Sequence, residues 1–218
     1  MTQTATAEPE ASCALCPRLV AYREENTAKE PSWFNGAVPS FGDPNARLLI
    51  VGLAPGVTGA NRTGRPFTGD YAGDLLYETI ADFGFSAGDY AARPDDGLTL
   101  KDAMITNAVR CVPPENKPTT AEIRACQPFL HARIERLSAL TSILCLGKIA
   151  HDSVLRTLGC KLSAAPFAHQ ARHELPAPDG RTLDVFDSYH CSRYNTNTGR
   201  LTRDMFRSVF RDIRASLD

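Results

Sequence analysis

Three polar side chains of different chemistry lie either at the end of a predicted strand or in the loop that follows one. Asp70 closes a glycine-rich segment, Asn107 ends a short apolar run, and His190 follows another. A carboxylate can orient or deprotonate water, an amide offers a donor and an acceptor, and a neutral imidazole can donate a hydrogen bond. Because ligands of an open parallel sheet bind beyond the carboxyl ends of its strands, we expect these side chains to share one cleft.

Each of the three also has an ordinary structural interpretation. Asp70 precedes a predicted helix and could cap its amino end. Asn107 could be a turn residue whose amide is satisfied locally, and His190 could be a structural histidine after a strand. The sequence by itself leaves both interpretations open.

A glycine-rich loop leaves the first predicted strand. It opens as Gly-Leu-Ala-Pro-Gly from Gly52 and closes as Gly-Arg-Pro-Phe-Thr-Gly-Asp. Glycine permits close approach of the backbone to a ligand, and proline stiffens the path between glycines. We expect Gly52, Pro55 and Gly56 to form part of a pocket for a flat ligand. Phe67 could stack on that ligand or could fill the core.

Apolar segments alternate with helical patterns along the chain. This alternation predicts an α/β fold of three layers, α/β/α, around a central, mainly parallel sheet of four strands. The predicted strands are 47–51, 103–107, 142–146 and 183–188. Helices are predicted to start near Tyr71, Thr119 and Lys148, and a last amphipathic helix to carry the apolar residues between Leu201 and Leu217. Segments 89–97, 113–118 and 164–180 are predicted to be loops.

Length and composition bound the organisation of the chain. Its 218 residues, 43% of them hydrophobic, can bury one core, so we expect a flexible tail over 1–12 and a single domain over 13–218. No apolar run approaches the roughly 20 residues of a membrane helix, and the first residues lack the pattern of a secretion signal. We therefore expect a cytoplasmic monomer without membrane contact.

Four of the seven cysteines have a spacing typical of a metal site. Cys13 and Cys16 form a C-x-x-C pair, and Cys111 with Cys126 could supply the second pair. From spacing alone, zinc and an iron-sulfur cluster fit four thiolates equally well. Cys145 and Cys160 are expected to be core or incidental thiols.

Three motifs together resemble the uracil-DNA glycosylase superfamily, and its type 5 branch in particular. The loop from Gly52 to Asp70 resembles the family's motif A, the segment 106–111 its central motif, and the segment 190–196 its motif B. The resemblance extends from about Cys13 to Leu201. It implies a DNA repair glycosylase that flips uracil, and other deaminated bases, out of double-stranded DNA, hydrolyses the N-glycosidic bond and leaves an abasic site.

The resemblance also implies roles for individual residues. Asn107 would read the base edge, Phe67 would stack on the base, and His190 would donate to the departing base. The usual polar residue early in motif A is absent here, and Asp70 matches the aspartate that substitutes for it in the type 5 branch. Cys13, Cys16, Cys111 and Cys126 would hold a 4Fe-4S cluster that clamps the amino-terminal segment.

The overall charge gives no general attraction to DNA, since 24 Lys plus Arg face 25 Asp plus Glu. A basic footprint must therefore be local. We expect DNA contacts from the motif loops, by Arg62, Arg65, Arg193, Asn195 and Arg200.

Two other functions are compatible with parts of the sequence. A non-catalytic, metal-containing DNA-binding module would use the arginines and cysteines but leave Asp70, Asn107 and His190 without a role. A nucleotide-processing hydrolase would use the glycine-rich loop for phosphate, but the chain lacks the P-loop and dinucleotide-binding patterns.

Overall fold

A computed structural model describes residues 7–218 and places a six-stranded sheet at the centre of the protein. The strands of this sheet are β1 (Phe41–Gly42), β2 (Leu48–Gly52), β5 (Ala103–Asn107), β6 (Ser142–Leu146), β7 (Arg172–Pro176) and β8 (Thr182–Ser188). A separate two-stranded ribbon consists of β3 (Ser86–Ala87) and β4 (Thr99–Leu100).

The strand order in the large sheet is β1-β5-β2-β6-β8-β7. The four central strands are parallel, and both edge strands are antiparallel to their neighbours. β2 and β5 are in register so that Gly52 pairs with Asn107. Two of the predicted motifs therefore begin side by side at the carboxyl edge of the sheet.

Within residues 7–218, seven α-helices surround the sheet. They are α1 (Pro17–Lys29), α2 (Ala60–Thr63), α3 (Tyr71–Asp82), α4 (Thr120–Arg136), α5 (Lys148–Thr157), α6 (Arg193–Asn197) and α7 (Arg203–Leu217). Apolar residues of α3 and α7 pack with Leu48 and Ile50 on one face, and those of α4 and α5 pack with Leu49 and Val51 on the other. Successive residues of a strand point to opposite faces, so β2 contributes to both cores. The three-layer α/β/α prediction is confirmed.

Local sequence signals account for the ends of several helices. Thr119 and Glu122 form a capping box at the start of α4, in which each side chain satisfies the other residue's backbone N–H. In α7 the predicted apolar positions Val209, Ile213 and Leu217 are buried against the sheet. The helix itself begins at Arg203, after a cap by Thr202.

The prediction of four strands is wrong in number, because it missed both edge strands. β1 has only two residues, and β7 lies within the segment 164–180 that was predicted to be irregular. Only one of the five residues of β7 is buried, so its sequence lacks the apolar run that reveals the central strands. Helix α1 was also missed, and a 3₁₀ turn occupies Pro114–Asn116 in a predicted loop.

The prediction of a flexible tail over residues 1–12 needs correction near its end. Ala7 and Pro9 are buried, and Glu8 forms an ion pair with the buried Arg110. Residues 1–6 lie outside the described part of the chain. Across residues 7–218, no helix combines the length and the apolarity needed to cross a membrane.

Candidate active site and cysteine cluster

A cavity of about 380 Å³ opens at the carboxyl edge of the sheet, where the loops after β2, β5 and β8 meet. It brings together Asp70, Asn107 and His190, which are far apart in the sequence. The other residues that line it are Leu53, Ala54, Pro55, Gly56, Ala60, Phe67, Tyr71, Ala72, Asn116, Ser192 and Arg193. The predicted convergence of the three motif loops is confirmed.

Asn107 ends β5 with its side chain in the cavity wall. The residue is 3% exposed, and its amide oxygen Oδ1 has no hydrogen-bond partner in the protein. A buried polar atom without a partner costs about 1–3 kcal/mol, so its retention at a cavity wall indicates a ligand group that would satisfy it. The local-turn interpretation of Asn107 does not account for this atom.

Gly52 is needed because Asn107 and Phe67 both pack against its Cα. A Cβ atom at this position would lie 2.4 Å from Asn107 Oδ1 and 2.6 Å from the Phe67 ring. Any side chain at residue 52 would therefore displace the amide or the ring. Gly52 shapes the cavity from behind and is not itself a lining residue.

Phe67 is held in a strained backbone conformation, with φ of 52°. The Tyr90 hydroxyl donates to the Phe67 carbonyl oxygen at 3.3 Å. The same oxygen packs closely on Gly73, since a Cβ atom added to Gly73 would lie 1.8 Å from it. The ring stacks on His190, with centroids 5.9 Å apart and an interplanar angle of 28°. Such strain persists only where the surroundings enforce it, and it is typical of functional sites.

Asp70 caps helix α3 and also lines the cavity, so its capping role does not exclude a role at the cavity. Its Oδ1 accepts a hydrogen bond from the Gly73 backbone N–H at 3.2 Å. Its Oδ2 faces Gly56 and Gly59, where added Cβ atoms would lie 3.1 and 2.2 Å away. Burial raises the pKa of Asp70 above its ordinary value, although the backbone hydrogen bonds oppose the shift.

His190 is held by the short helix that follows it. Asn195 donates from its side-chain nitrogen to the His190 carbonyl at 2.8 Å, and the Cys191 thiol donates to the Ala72 carbonyl at 3.4 Å. Burial lowers the pKa of His190 to about 4, so its imidazole is neutral near pH 7. A neutral imidazole can still donate one hydrogen bond to a ligand.

The prediction that Arg65 contacts DNA is wrong. The side chain is 5% exposed and makes a bidentate ion pair with Asp96, with both N–O distances 2.7 Å. Its guanidinium lies over the rings of Phe41, Tyr77 and Tyr90, at 5.1 to 5.7 Å from their centroids. The hydrogen bonds from Arg65 hold the pKa of Asp96 far below its usual range, so both groups stay charged. Arg65 braces the motif A loop from inside.

The remaining candidate cations are exposed at the surface. Arg62 is exposed and donates to the Thr58 carbonyl at 2.7 Å, so it also stiffens the loop. Arg193 lines the cavity mouth and Arg200 lies further along the motif B segment, both exposed and each over a tyrosine ring. The Asn195 side-chain nitrogen already donates one hydrogen bond to the His190 carbonyl, so it has one fewer N–H available for a phosphate.

Sequence reasoning missed several lining residues. Asn116 reaches the cavity from the loop after β5, in the left-handed region with φ of 56°, and Tyr71 and Ser192 flank predicted residues. The proline-rich loop 113–118 follows Asn107 closely, so its position after a strand end was the available signal. Tyr194, next to Arg193, is 73% exposed although it is a large aromatic residue.

The four predicted metal-binding cysteines come together beside α1. Cys111 and Cys126 are buried in a small core with Leu19, and Cys13 and Cys16 pack against it. All four are free thiols. Burial, with a contribution from the neighbouring thiols, raises the pKa of Cys16 to about 11. Four thiols clustered without a disulfide form a donor set that suits a metal centre.

A second group with the spacing of a metal site lies in the core. One ligand atom each from Cys145, His151 and Asp187 lies within 4.8 Å of the other two, and all three residues are buried. This spacing fits metal binding. Cys145 was expected to be a core thiol, and its carboxylate and imidazole neighbours were not predicted.

Comparison with known proteins identifies the family. A model of the uracil DNA glycosylase superfamily matches residues 39–214. The chain is similar to a type-5 uracil-DNA glycosylase of Thermus thermophilus, with 46% identity over 93% of each chain, and to one of Pyrobaculum aerophilum, with 38% identity over 95% of this chain and 89% of the relative. A type-4 uracil-DNA glycosylase of Sulfurisphaera tokodaii is 30% identical over 79% of this chain and 73% of the relative. The chain therefore belongs to the uracil-DNA glycosylase superfamily, and to its type-5 branch.

Proposed function

We propose that this protein is a monofunctional DNA repair glycosylase that hydrolyses the N-glycosidic bond of uracil in DNA and leaves an abasic site. The observation that carries the proposal is the convergence of Asp70, Asn107 and His190 on one cavity that Phe67 also lines. Membership of the family, and the activity named for its relatives, support the same conclusion.

Asn107 supplies the group that reads the base. Its amide can accept from the imide N–H of uracil and donate to the adjacent carbonyl, which would give its unpartnered Oδ1 a partner. Phe67 offers a flat apolar surface for the base. A base that is paired and stacked in a duplex cannot enter a recessed cavity, so the nucleotide must be flipped out of the helix.

Asp70 and His190 supply the groups that help the bond to break. As the bond breaks, positive charge develops on the sugar and negative charge on the base. The Asp70 carboxylate can stabilise the cation and orient or deprotonate the attacking water. The neutral His190 can donate a hydrogen bond to the departing base without first gaining a proton. No lysine is among the described residues that line the cavity, so Schiff-base chemistry is not part of the proposal.

We also propose that Cys13, Cys16, Cys111 and Cys126 hold a 4Fe-4S cluster. Three segments of the chain bring these four thiols together beside α1, and four cysteines are the ligands that such a cluster requires. The likeness to the type 5 branch favours a cluster over a single zinc ion. The cluster would link α1 and the segment before it to the loop after β5 and to α4, which is a structural contribution.

Colour and metal content test the cluster. The purified protein should be brown and contain about four iron atoms per chain, and Cys16→Ser should lose both. Cys160→Ser is the matched control, since Cys160 lies outside the cluster and should keep the colour. A colourless wild-type protein that contains zinc in place of iron would contradict the cluster.

An assay on a labelled duplex with one uracil tests the activity. Abasic sites are detected by alkaline cleavage, and Asp70→Asn and Asn107→Ala should lower the rate. The matched controls are Asp204→Asn and Asn45→Ala, which alter the same side-chain types at exposed positions outside the cavity. Tight binding of the duplex without base release would favour a non-catalytic module, and phosphate release from free nucleotides would favour a nucleotide hydrolase.

The proposal extends to other deaminated bases and to double-stranded DNA as the substrate. Three alanines, Ala54, Ala60 and Ala72, line the cavity, and their small side chains leave room for bases larger than uracil. Duplexes and single strands carrying uracil, hypoxanthine or xanthine, compared under one condition, would test this range. The monomeric state and the cytoplasmic location stay predictions.

A further inference from the structure

The buried group around Asp187 lies on the face of the sheet that packs against α5. Cys145 of β6 pairs in register with Asp187 of β8, so their side chains are neighbours on that face. His173 of β7 pairs with Val185, two residues before Asp187, and therefore points to the same face. His151 approaches from α5. Three adjacent strands and one helix thus bring a thiol, a carboxylate and two imidazoles together.

Hydrogen bonds orient His151 in the manner of a metal ligand. Its Nε2 lies 2.9 Å from the Ala165 carbonyl oxygen, which can only accept, so Nε2 carries the proton. Its Nδ1 lies 2.7 Å from Asp187 Oδ1 and donates to it, so an ion bound between these two atoms would displace one proton. Metal-ligating histidines typically donate their other N–H to a carbonyl or a carboxylate in this way.

Two polar atoms in the group lack hydrogen bonds within the described structure. Asp187 is fully buried, and its Oδ2 makes no hydrogen bond. His173 Nε2 lies 3.5 Å from Asp187 Oδ2 and makes no hydrogen bond either. A structural histidine–aspartate pair would account for the contact between His151 and Asp187. It leaves the second carboxylate oxygen, the free imidazole nitrogen and the adjacent thiol unexplained.

We propose that Cys145, His151, Asp187 and His173 bind one zinc ion. Thiolate, carboxylate and two neutral imidazoles are all ordinary zinc ligands, and the two anionic groups balance the ion's charge. Cys145, His151 and Asp187 form the preassembled part of the site, and His173 completes it by a change of rotamer. The His173 side chain is 17% exposed, whereas those of His151 and Asp187 are at most 1% exposed, so His173 is the ligand nearest the surface.

The site has a structural consequence for the cavity. Asp187 precedes His190 by three residues, and β7 is an edge strand that pairs with β8. An ion bound here fixes the edge strand, α5 and the end of β8 to one another. It therefore stabilises the origin of the loop that carries His190. The proposal does not depend on the reaction assigned to the cavity.

Elemental analysis of the purified, iron-containing protein tests the site. Protein is incubated with equimolar zinc, passed through a chelating resin and analysed for zinc and iron together. We expect about one zinc per chain in the wild type and less than a tenth of that in Cys145→Ser and His173→Gln. His173 is partly exposed, so His173→Gln keeps the test valid if Cys145→Ser fails to fold.

Matched variants separate this site from the cysteine cluster. Cys160→Ser and His131→Gln change the same residue types elsewhere and should keep the zinc. Cys16→Ser should lose iron and keep the zinc, and zinc should raise the melting temperature of the wild type but not of His173→Gln. Absence of zinc from the wild type, its retention in both ligand variants, or its loss with Cys16→Ser would each overturn the proposal.

Discussion

Gly59 lies against the carboxylate of Asp70, and its replacement by alanine would displace that group without altering its chemistry. The new Cβ would lie 2.2 Å from Asp70 Oδ2 and 2.8 Å from its Cγ. Real Cβ contacts are essentially never shorter than 3.0 Å, so the carboxylate must retreat by about 0.8 Å. Asp70 would then lose its hydrogen bond with Gly73 as well.

The expected effects differ between stability and catalysis. Loss of the helix cap costs about 1 kcal/mol of the free energy of unfolding. A catalytic group displaced by about 1 Å costs roughly 100-fold in rate. We therefore expect Gly59→Ala to lower the single-turnover rate of uracil release about 100-fold while the protein stays folded. Urea unfolding and the labelled-duplex assay measure the two effects separately.

Gly56→Ala and a double variant serve as controls. The Cβ of Gly56→Ala would lie 3.1 Å from the same oxygen, so a loss of only a few-fold is expected. If Gly59→Ala acts through Asp70, it should add little to the loss already caused by Asp70→Asn. A Gly59→Ala rate within about threefold of wild type, or full additivity with Asp70→Asn, would refute the reasoning.

Three further predictions follow from the same geometry. Arg65→Ala breaks a buried ion pair with Asp96 and should lower the free energy of unfolding by about 3–5 kcal/mol. Arg62 is exposed, so Arg62→Ala should weaken DNA binding with a smaller loss of stability. Urea titrations and DNA-binding isotherms compare the two variants, and unchanged stability of Arg65→Ala would contradict the buried ion pair. Burial lowers the pKa of His190 to about 4, so as the pH falls below about 6.5 the His190 imidazole is protonated in the unfolded chain before it is protonated in the folded protein. The wild type should therefore lose about 2 kcal/mol of its free energy of unfolding between pH 7 and pH 5, and His190→Asn should not. Equal pH profiles of stability for the two proteins would contradict the shift. Tyr194 is 73% exposed and follows Arg193, which lines the cavity, so we expect it to fill the space left by a flipped nucleotide. Tyr194→Ala should then slow uracil release from duplexes more than from single strands, and an equal effect on both would count against this role.

Much of the fold was predictable because its signals are local. Three of the central strands, β2, β5 and β6, are buried at every residue and have mostly apolar sequences, and Thr119 with Glu122 marks the start of α4 within three residues. β7 was not predictable in this way, because only Leu175 among its five residues is buried. Its strand conformation depends on hydrogen bonds to β8, which a local pattern does not encode.

The candidate site shows the same division. The motif residues Asp70, Asn107 and His190 were identifiable from the sequence, as were the four clustered cysteines. Arg65 was misassigned because its partner, Asp96, lies 31 residues away and only the folded chain brings the two together. The group formed by Cys145, His151 and Asp187 escaped notice for a similar reason, since three separate elements contribute it.

By itself, the sequence determined the family, the layered α/β architecture and the residue types available at the strand ends, because these depend on local patterns and contiguous motifs. The tertiary structure decided which of those residues face a common cavity, which arginine is buried and which polar atoms lack a partner. The physical reason is that burial, ion pairing and pKa shifts arise from neighbours that are distant along the chain, and only the packed sheet brings them within contact of one another.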